Sequence, residues 1–284
     1  MLKYLVCDLD DTLLYKHGES WLFDLTARNK EALCKIKDSG IIFCIASGRT
    51  YLHGKKILEM FDLLDGALCC GLNGSVYYDN GKLVSPKTVN PNDVLDMVSM
   101  VEVFENDYFN MQIQDLGESR NYYYPTKDPV SKYKKECIDL GIGIWDDTPL
   151  KEAIMNNLDM EIGKYSITSK TKESSSKLEM VLRSKYGDKY TITRSAKGYL
   201  EITNVEANKG NFIRYIKDTY HVSGDEIAVI GDNYNDISMF KESNHVFCMA
   251  QADDEVKAYA NYVVEDVAKC IERCLEINEE LSSR

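Results

Sequence analysis

The stretch Cys7-Asp8-Leu9-Asp10-Asp11-Thr12 follows the apolar run Leu2-Lys3-Tyr4-Leu5-Val6, and its reading decides the fold. The run predicts a buried strand, so two carboxylates two residues apart stand where that strand ends. Side chains at i and i+2 of an extended chain point the same way, which lets Asp8 and Asp10 face one small site suited to a divalent cation and a phosphate. The plain alternative is that Asp ends a strand and opens a turn. The later strand ends decide between the two.

Residues 26–39 carry Leu33 and Ile36 at helical spacing and close at Ser39-Gly40. Residues 41–46 are then a continuous apolar run, the mark of a strand covered on both faces. It stops at Ser47-Gly48-Arg49-Thr50, before a helical stretch to about Met60. A hydroxyl, a glycine and a cation at a helix start suit a phosphate, although Ser and Gly are also common in turns and caps. Residues 66–71 predict a third buried strand ending at Asn73-Gly74, and 75–78 with 82–84 predict a hairpin around Asp79-Asn80-Gly81. Strand, helix, strand is the pattern of a parallel α/β unit, whose ligands bind beyond the carboxyl ends of the strands.

From about 85 to 199 the chain is richer in polar and aromatic residues. Helices are expected near 91–106 and 172–186, with strands at 108–113, 120–124, 161–168 and 190–193. This reads as an α+β module inserted into the first domain. Packing is the expected role of Tyr122-Tyr123-Tyr124, since consecutive strand residues face opposite sides. Residues 200–203 are expected to return as a strand of the first domain, and Asn208-Lys209-Gly210 opens a helix to about Tyr220. Residues 226–231 form another buried strand, ending in Asp232-Asn233-Tyr234-Asn235-Asp236. An EF-hand would need an oxygen ligand where Tyr234 stands and a Glu where Ser243 stands, so this is a different acidic turn. Strands at 246–249 and 262–264 and helices at 254–260 and 266–277 complete the pattern.

The 284 residues carry a net charge of −12, which argues against a nucleic-acid surface and favours solubility. No apolar run approaches the roughly 20 residues that span a bilayer, and the opening runs straight into a strand with acidic residues, unlike a signal peptide. Nine scattered cysteines without Cys-x-x-Cys pairs predict reduced thiols and a cytoplasmic protein. Cys7 and Cys44 read as core residues, and Cys270 and Cys274 as helix packing. The triplet Asn73-Gly74-Ser75 would not meet the glycosylation machinery there. Neither a P-loop nor Gly-x-Gly-x-x-Gly occurs, which removes the basis for a nucleotide kinase or a dinucleotide dehydrogenase.

Each buried strand thus stops at chemistry. Converging carboxylates would repel without a cation, and phosphoryl transfer needs a nucleophile, a proton carrier and positive groups around the transferring oxygens. The ordered set Asp8-Leu9-Asp10-Asp11-Thr12, Ser47-Gly48-Arg49, Lys209-Gly210 and Gly231-Asp232-Asn233-Tyr234-Asn235-Asp236 resembles the haloacid dehalogenase superfamily, specifically its Cof-type phosphatases. The resemblance covers essentially the whole chain. It implies a doubly wound, mainly parallel α/β core at 1–84 and 200–284, with an inserted α+β cap of the C2 type at 85–199.

The resemblance also implies roles. Asp8 would be the nucleophile and a Mg²⁺ ligand, and Asp10 the general acid/base with its backbone carbonyl on the metal. Asp232 would be the third protein ligand. Ser47, Lys209, the Asn235 amide and the backbone N–H groups of Leu9 and Gly48 would hold the phosphate. Asp236 would orient metal-bound water, and Thr12 would brace the loop. Asp11 stands where many relatives carry Gly, which puts local loop geometry in question. Arg49 and Asn73 are candidates for substrate contacts beyond the phosphate, or for stabilising the cap interface.

The implied activity is Mg²⁺-dependent hydrolysis of a small phosphomonoester, a sugar phosphate or similar metabolite, through an aspartyl-phosphate. One rival is a phosphomutase, which must hold a second phosphate with cationic residues; the span 85–199 offers only Arg120, Arg183 and Arg194. The other is a phosphate-metabolite binding protein that keeps the fold without turnover. Substrate identity and oligomeric state stay open at this point.

Overall fold

The computed structural model describes residues 1–15, 25–103, 108–116, 120–124, 132–196 and 198–283. Two compact units emerge, one formed by Met1–Val84 with Asn208–Arg284 and the other by Ser85–Ala207. The first begins with β1 (Tyr4–Cys7), α1 (Ala27–Lys37), β2 (Ile42–Ala46), α2 (Tyr51–Met60), β3 (Leu68–Gly71), β4 (Val76–Asp79) and β5 (Lys82–Val84). The second unit follows with α3 (Pro91–Glu102), β6 (Tyr108–Asp115), β7 (Arg120–Tyr124), α4 (Lys132–Asp139), β8 (Ile144–Trp145) and α5 (Leu150–Asn156). It ends with β9 (Ile162–Ser169), α6 (Lys172–Tyr186), β10 (Tyr190–Ala196) and β11 (Tyr199–Asn204). The chain then re-enters the first unit through α7 (Lys209–Tyr220), β12 (Ile227–Gly231), α8 (Ile237–Phe240), β13 (His245–Met249), α9 (Asp254–Lys257), β14 (Tyr262–Val264) and α10 (Val267–Ser282).

The sheet of the first unit has the order β14-β13-β12-β1-β2-β3-β4-β5. Its strands are parallel from β14 to β3, and β4 and β5 are antiparallel additions. The continuous apolar runs are explained by burial on both faces. Leu5 and Cys7 of β1 pack with Leu33 and Ile36 of α1, Ile57 and Leu58 of α2, and Cys270, Ile271 and Cys274 of α10. Tyr4 and Val6 pack on the opposite face with Phe212, Ile213 and Ile216 of α7 and with Met239, Phe240 and Val256. Successive side chains of one strand therefore feed two separate helical layers. From β1 the chain moves outward to β2 and β3 on one side, and later from β12 to β13 and β14 on the other. The carboxyl end of β1 is accordingly a switch point, where ligands bind in open α/β sheets.

The second unit is a sheet of order β10-β11-β9-β6-β7-β8, antiparallel except for β7 with β8. Its core joins Met111, Ile113, Tyr165, Ile167, Leu200 and Ile202 to Val94, Met97 and Val98 of α3, Ile154 of α5 and Leu178 and Leu182 of α6. Residues 200–203 are therefore not a strand of the first unit. They lie within β11, which pairs with β9 and β10 because Leu200 and Ile202 complete this core, and the division falls after Ala207. Strand β6 runs two residues beyond the expected 113, α9 ends before the expected 260, and the expected helix end at 104–106 lies outside the described residues. Tyr122 and Tyr123 are both buried.

Candidate active site

Strand β1 ends at Cys7, so Asp8 is the first residue beyond it. Asp8 N–H donates to Ile230 O of β12 at 3.0 Å, which continues the ladder by one bond and holds Asp8 at the seam between the two halves of the sheet. The chain then turns: Leu9 O accepts from Thr12, Leu13 and Leu14 N–H. Asp11 sits in the left-handed region with φ 57°, a conformation Asp tolerates better than most residues. Gln251 Nε2 donates to Asp11 O and Asn29 Nδ2 to Leu13 O, so two distant amides brace the turn. The fully buried Asn29 also accepts from Ala268 N–H at the start of α10.

Lys209 is the first residue of α7, whose N-cap Asn208 accepts from Asn211 N–H. Its ammonium is fully buried and donates to Asp8 Oδ1 at 2.6 Å and to Asp236 Oδ1 at 2.6 Å. Burial alone would lower the lysine pKa, but the Asp236 and Asp8 carboxylates outweigh it and hold it above its usual value. Close approach of α7 depends on Gly210, where a Cβ would stand 2.4 Å from Ser238 O.

Asp232 follows β12 directly, and the acidic turn after it is organised by Asp236. Asp236 Oδ2 accepts from Asp232 N–H and Asn233 N–H, both at 3.0 Å, while its Oδ1 takes Lys209. Both oxygens of this buried carboxylate are thus engaged by the protein. Asp232 Oδ1 accepts from the buried Thr12 hydroxyl at 3.0 Å, which ties the two acidic loops together. Ligand atoms of Asp8, Asp232 and Asp236 lie within 4.8 Å of one another. Burial, then repulsion from Asp236, pushes Asp232 up to about 6. Asp8 is likewise raised, by burial first and then by Asp236 and Asp232, against the lowering effect of Lys209.

Asp10 does not join this cluster. Because β1 stops at Cys7, the i, i+2 rule for extended chain lapses, and the Asp10 carboxylate pairs instead with Arg49: Nε lies 3.1 and 2.9 Å from its two oxygens and Nη2 2.6 Å from Oδ1. Ser47, buried at the end of β2, accepts Arg49 N–H on its hydroxyl at 3.1 Å. Asn73 lies in a tight turn with φ 58°; its Oδ1 accepts from Asn235 Nδ2 at 3.0 Å and would lie 3.1 Å from a Cβ at Gly48. The phosphate-cradle candidates Ser47, Gly48 and Asn235 thus border one another through Asn73. The sequence alone had no signal for Asn29, Gln251 or the Arg49–Asp10 pairing, since each is a long-range contact made by residue types common on surfaces.

A family profile described as haloacid dehalogenase-like hydrolase matches residues 5–269 of this chain. The chain belongs to the haloacid dehalogenase-like hydrolases. Within that family it is a Cof-type phosphatase. It is 25% identical over 280 residues to the 5-amino-6-(5-phospho-D-ribitylamino)uracil phosphatase YwtE of Bacillus subtilis, covering 92% of each chain. It is 24% identical over 294 residues to the phosphatase YwpJ of the same organism, covering 92% of this chain and 94% of that one. A haloacid dehalogenase-like hydrolase from Bacteroides thetaiotaomicron shares the fold at a TM-score of 0.81 with 21% identity, over 96% of this chain and all of that one. TM0651 from Thermotoga maritima does so at 0.78 with 21% identity, over 96% and 97%. Among the described residues, no helix of this haloacid dehalogenase-like chain is long and apolar enough to cross a membrane.

Proposed function

We propose that the chain hydrolyses a small phosphomonoester with Mg²⁺ bound beside Asp8. The observation that carries this reading is the cluster itself: three carboxylates, Asp8, Asp232 and Asp236, gather around one buried ammonium, Lys209, which pairs with Asp8 and Asp236. Fully ionised, that set carries two excess negative charges, which a divalent cation matches. Its all-oxygen donors suit Mg²⁺, which usually keeps several waters and binds few carboxylates plus substrate phosphate. Asp8 and Asp232 would hold the ion with their carboxylates and Asp10 with its backbone carbonyl, while Asp236 supports from behind. The bound cation supplies charge that offsets repulsion between an anionic nucleophile and phosphate oxygens.

Asp8 would attack the phosphorus, the bond to the leaving oxygen would break with its electron pair, and Asp10 would hand that oxygen its proton. The aspartyl-phosphate on Asp8 would then be attacked by water, whose proton returns to Asp10, releasing inorganic phosphate and restoring the Asp8 carboxylate and the protonated Asp10. Lys209, Ser47, Asn235 and the N–H groups of Leu9 and Gly48 would hold the phosphate oxygens. The unit 85–207 would act as the cap that selects the leaving group, and a cytoplasmic setting fits the reduced thiols.

A second phosphate has poor support in that unit. Arg120 pairs with Asp146, and Arg183 and Arg194 both pair with Glu179. This weighs against a mutase. Polyol and sugar phosphates are the substrates to try first, since the relative YwtE bears the name of a phosphoribityl phosphatase.

The test is phosphate release from a broad phosphomonoester panel with Mg²⁺ and with excess chelator, using wild type and Asp8→Asn. Metal-dependent release that disappears in the variant is expected. Isomerised product without free phosphate would indicate a mutase, and tight metabolite binding without any turnover would indicate a binding protein.

A further inference from the structure

We propose that Arg49 is a positioning residue for Asp10, an inference that rests on Asp10 being the proton carrier. The guanidinium meets Asp10 with two nitrogens, Nε at 2.9 Å and Nη2 at 2.6 Å, and such a fork fixes the plane of a carboxylate as a single point charge does not. The two partners differ in how firmly they are held. The Arg49 side chain is 12% exposed and that of Asp10 53%. Arg49 is also pinned through its backbone, its N–H donating to the Ser47 hydroxyl at 3.1 Å and its O accepting Leu72 N–H at 2.9 Å.

Asp10, by contrast, stands on a turn next to a left-handed residue, and a half-exposed Asp in that setting has several rotamers open to it. The embedded arginine is therefore the anchor and the carboxylate is what it orients. An ion pair this exposed on one side contributes little to stability, so what Arg49 supplies is the direction in which Asp10 presents an oxygen. The cation of the Ser-Gly-Arg segment, which from sequence suited a phosphate or a substrate contact, acts on the proton carrier of the neighbouring strand end.

The test compares an alkyl phosphomonoester, whose alkoxide must be protonated as it leaves, with p-nitrophenyl phosphate, whose leaving group departs without that help. Arg49→Gln is expected to lower kcat/KM, which reports transfer to Asp8 and not the later hydrolysis shared by both esters, roughly 10-fold or more on the alkyl ester and less than about 3-fold on the aryl ester, at an unchanged Tm. Arg49→Lys, which keeps the charge but loses the fork, should resemble Arg49→Gln. In an Asp10→Asn background, Arg49→Gln should cost nothing further. Equal losses of kcat/KM on both esters, or an additive loss in that background through KM, would show that Arg49 touches the substrate directly and would overturn the proposal. Full turnover of the alkyl ester by Asp10→Asn alone would instead remove the assignment of Asp10, and this inference with it.

Discussion

The carboxylate of Asp236 fills the space that a side chain at Gly231 would need: an ideal Cβ there would lie 2.4 Å from both Cγ and Oδ2 of Asp236. The last residue of β12 is thus glycine because the acidic turn folds back onto it, and the same carboxylate organises Asp232 and Lys209. Gly231→Ala should push Asp236 off its backbone donors. A loss of about 1–3 kcal/mol in urea unfolding, with reduced Mg²⁺-dependent turnover, is expected. An alanine variant as stable and active as wild type would count against the packing described.

Lys209 is fully buried and bridges two buried carboxylates. Lys209→Met would fill most of the volume but leave Asp8 and Asp236 facing each other without a cation. Breaking a buried pair in this way costs about 3–5 kcal/mol. The midpoint of denaturant unfolding should fall accordingly, and added Mg²⁺ should recover part of the loss. Asp8→Asn, which keeps an oxygen for the ammonium, should change that midpoint much less while abolishing turnover.

Asp236→Asn puts an NH₂ group either against the N–H groups of Asp232 and Asn233 or against the Lys209 ammonium. Each choice sets donor against donor. Supporting groups of this kind typically alter metal affinity 10–100-fold, so the Mg²⁺ concentration for half-maximal activity should rise by about that factor. A Mg²⁺ titration of activity measures it directly.

The raised acid groups make stability depend on pH in an unusual direction. Asp232 titrates at about 6 in the folded chain, against an ordinary value of about 4. Between those values the folded state binds more protons than the unfolded state, so the contribution is complete below about 4 and is lost as pH rises through 6. Asp8 shifts in the same direction. Metal-free protein should therefore lose on the order of 2 kcal/mol between pH 4.5 and 7 from Asp232, and Mg²⁺ should flatten the profile. Thermal melts across that range, with and without the ion, would reveal the opposite slope if the cluster were not strained by its own charge.

Much of the first unit could be read from the chain because buried parallel strands leave continuous apolar runs, and each of these runs ends at a polar turn. Asp8, Lys209, Asp232 and Asp236 meet in the structure because the sheet order brings those ends together. One reading failed and one pairing stayed hidden, each for a physical reason. The fate of 200–203 depended on which core Leu200 and Ile202 would complete, and a short alternating segment suits either sheet. The Asp10 carboxylate stands outside the cluster of Asp8, Asp232 and Asp236 because β1 stops at Cys7 and Arg49 takes it, and only such a long-range partner decides where an exposed Asp turns. Short elements of the second unit escape such a reading: β8 has two residues, and the seven of α5 carry Leu150, Ala153 and Ile154 at helical spacing over a single turn only.

The placement of β1 between β2 and β12 also bears on biosynthesis. During translation β1 finds β2 within a few dozen residues, but the opposite edge of this buried strand must wait for β12, over 200 residues later. At roughly 5–20 residues per second that is on the order of ten to forty seconds. For that interval Tyr4–Cys7 offers one open hydrogen-bonding edge to whatever lies near the ribosome exit, and a truncated chain lacking the last quarter would carry that exposed edge permanently.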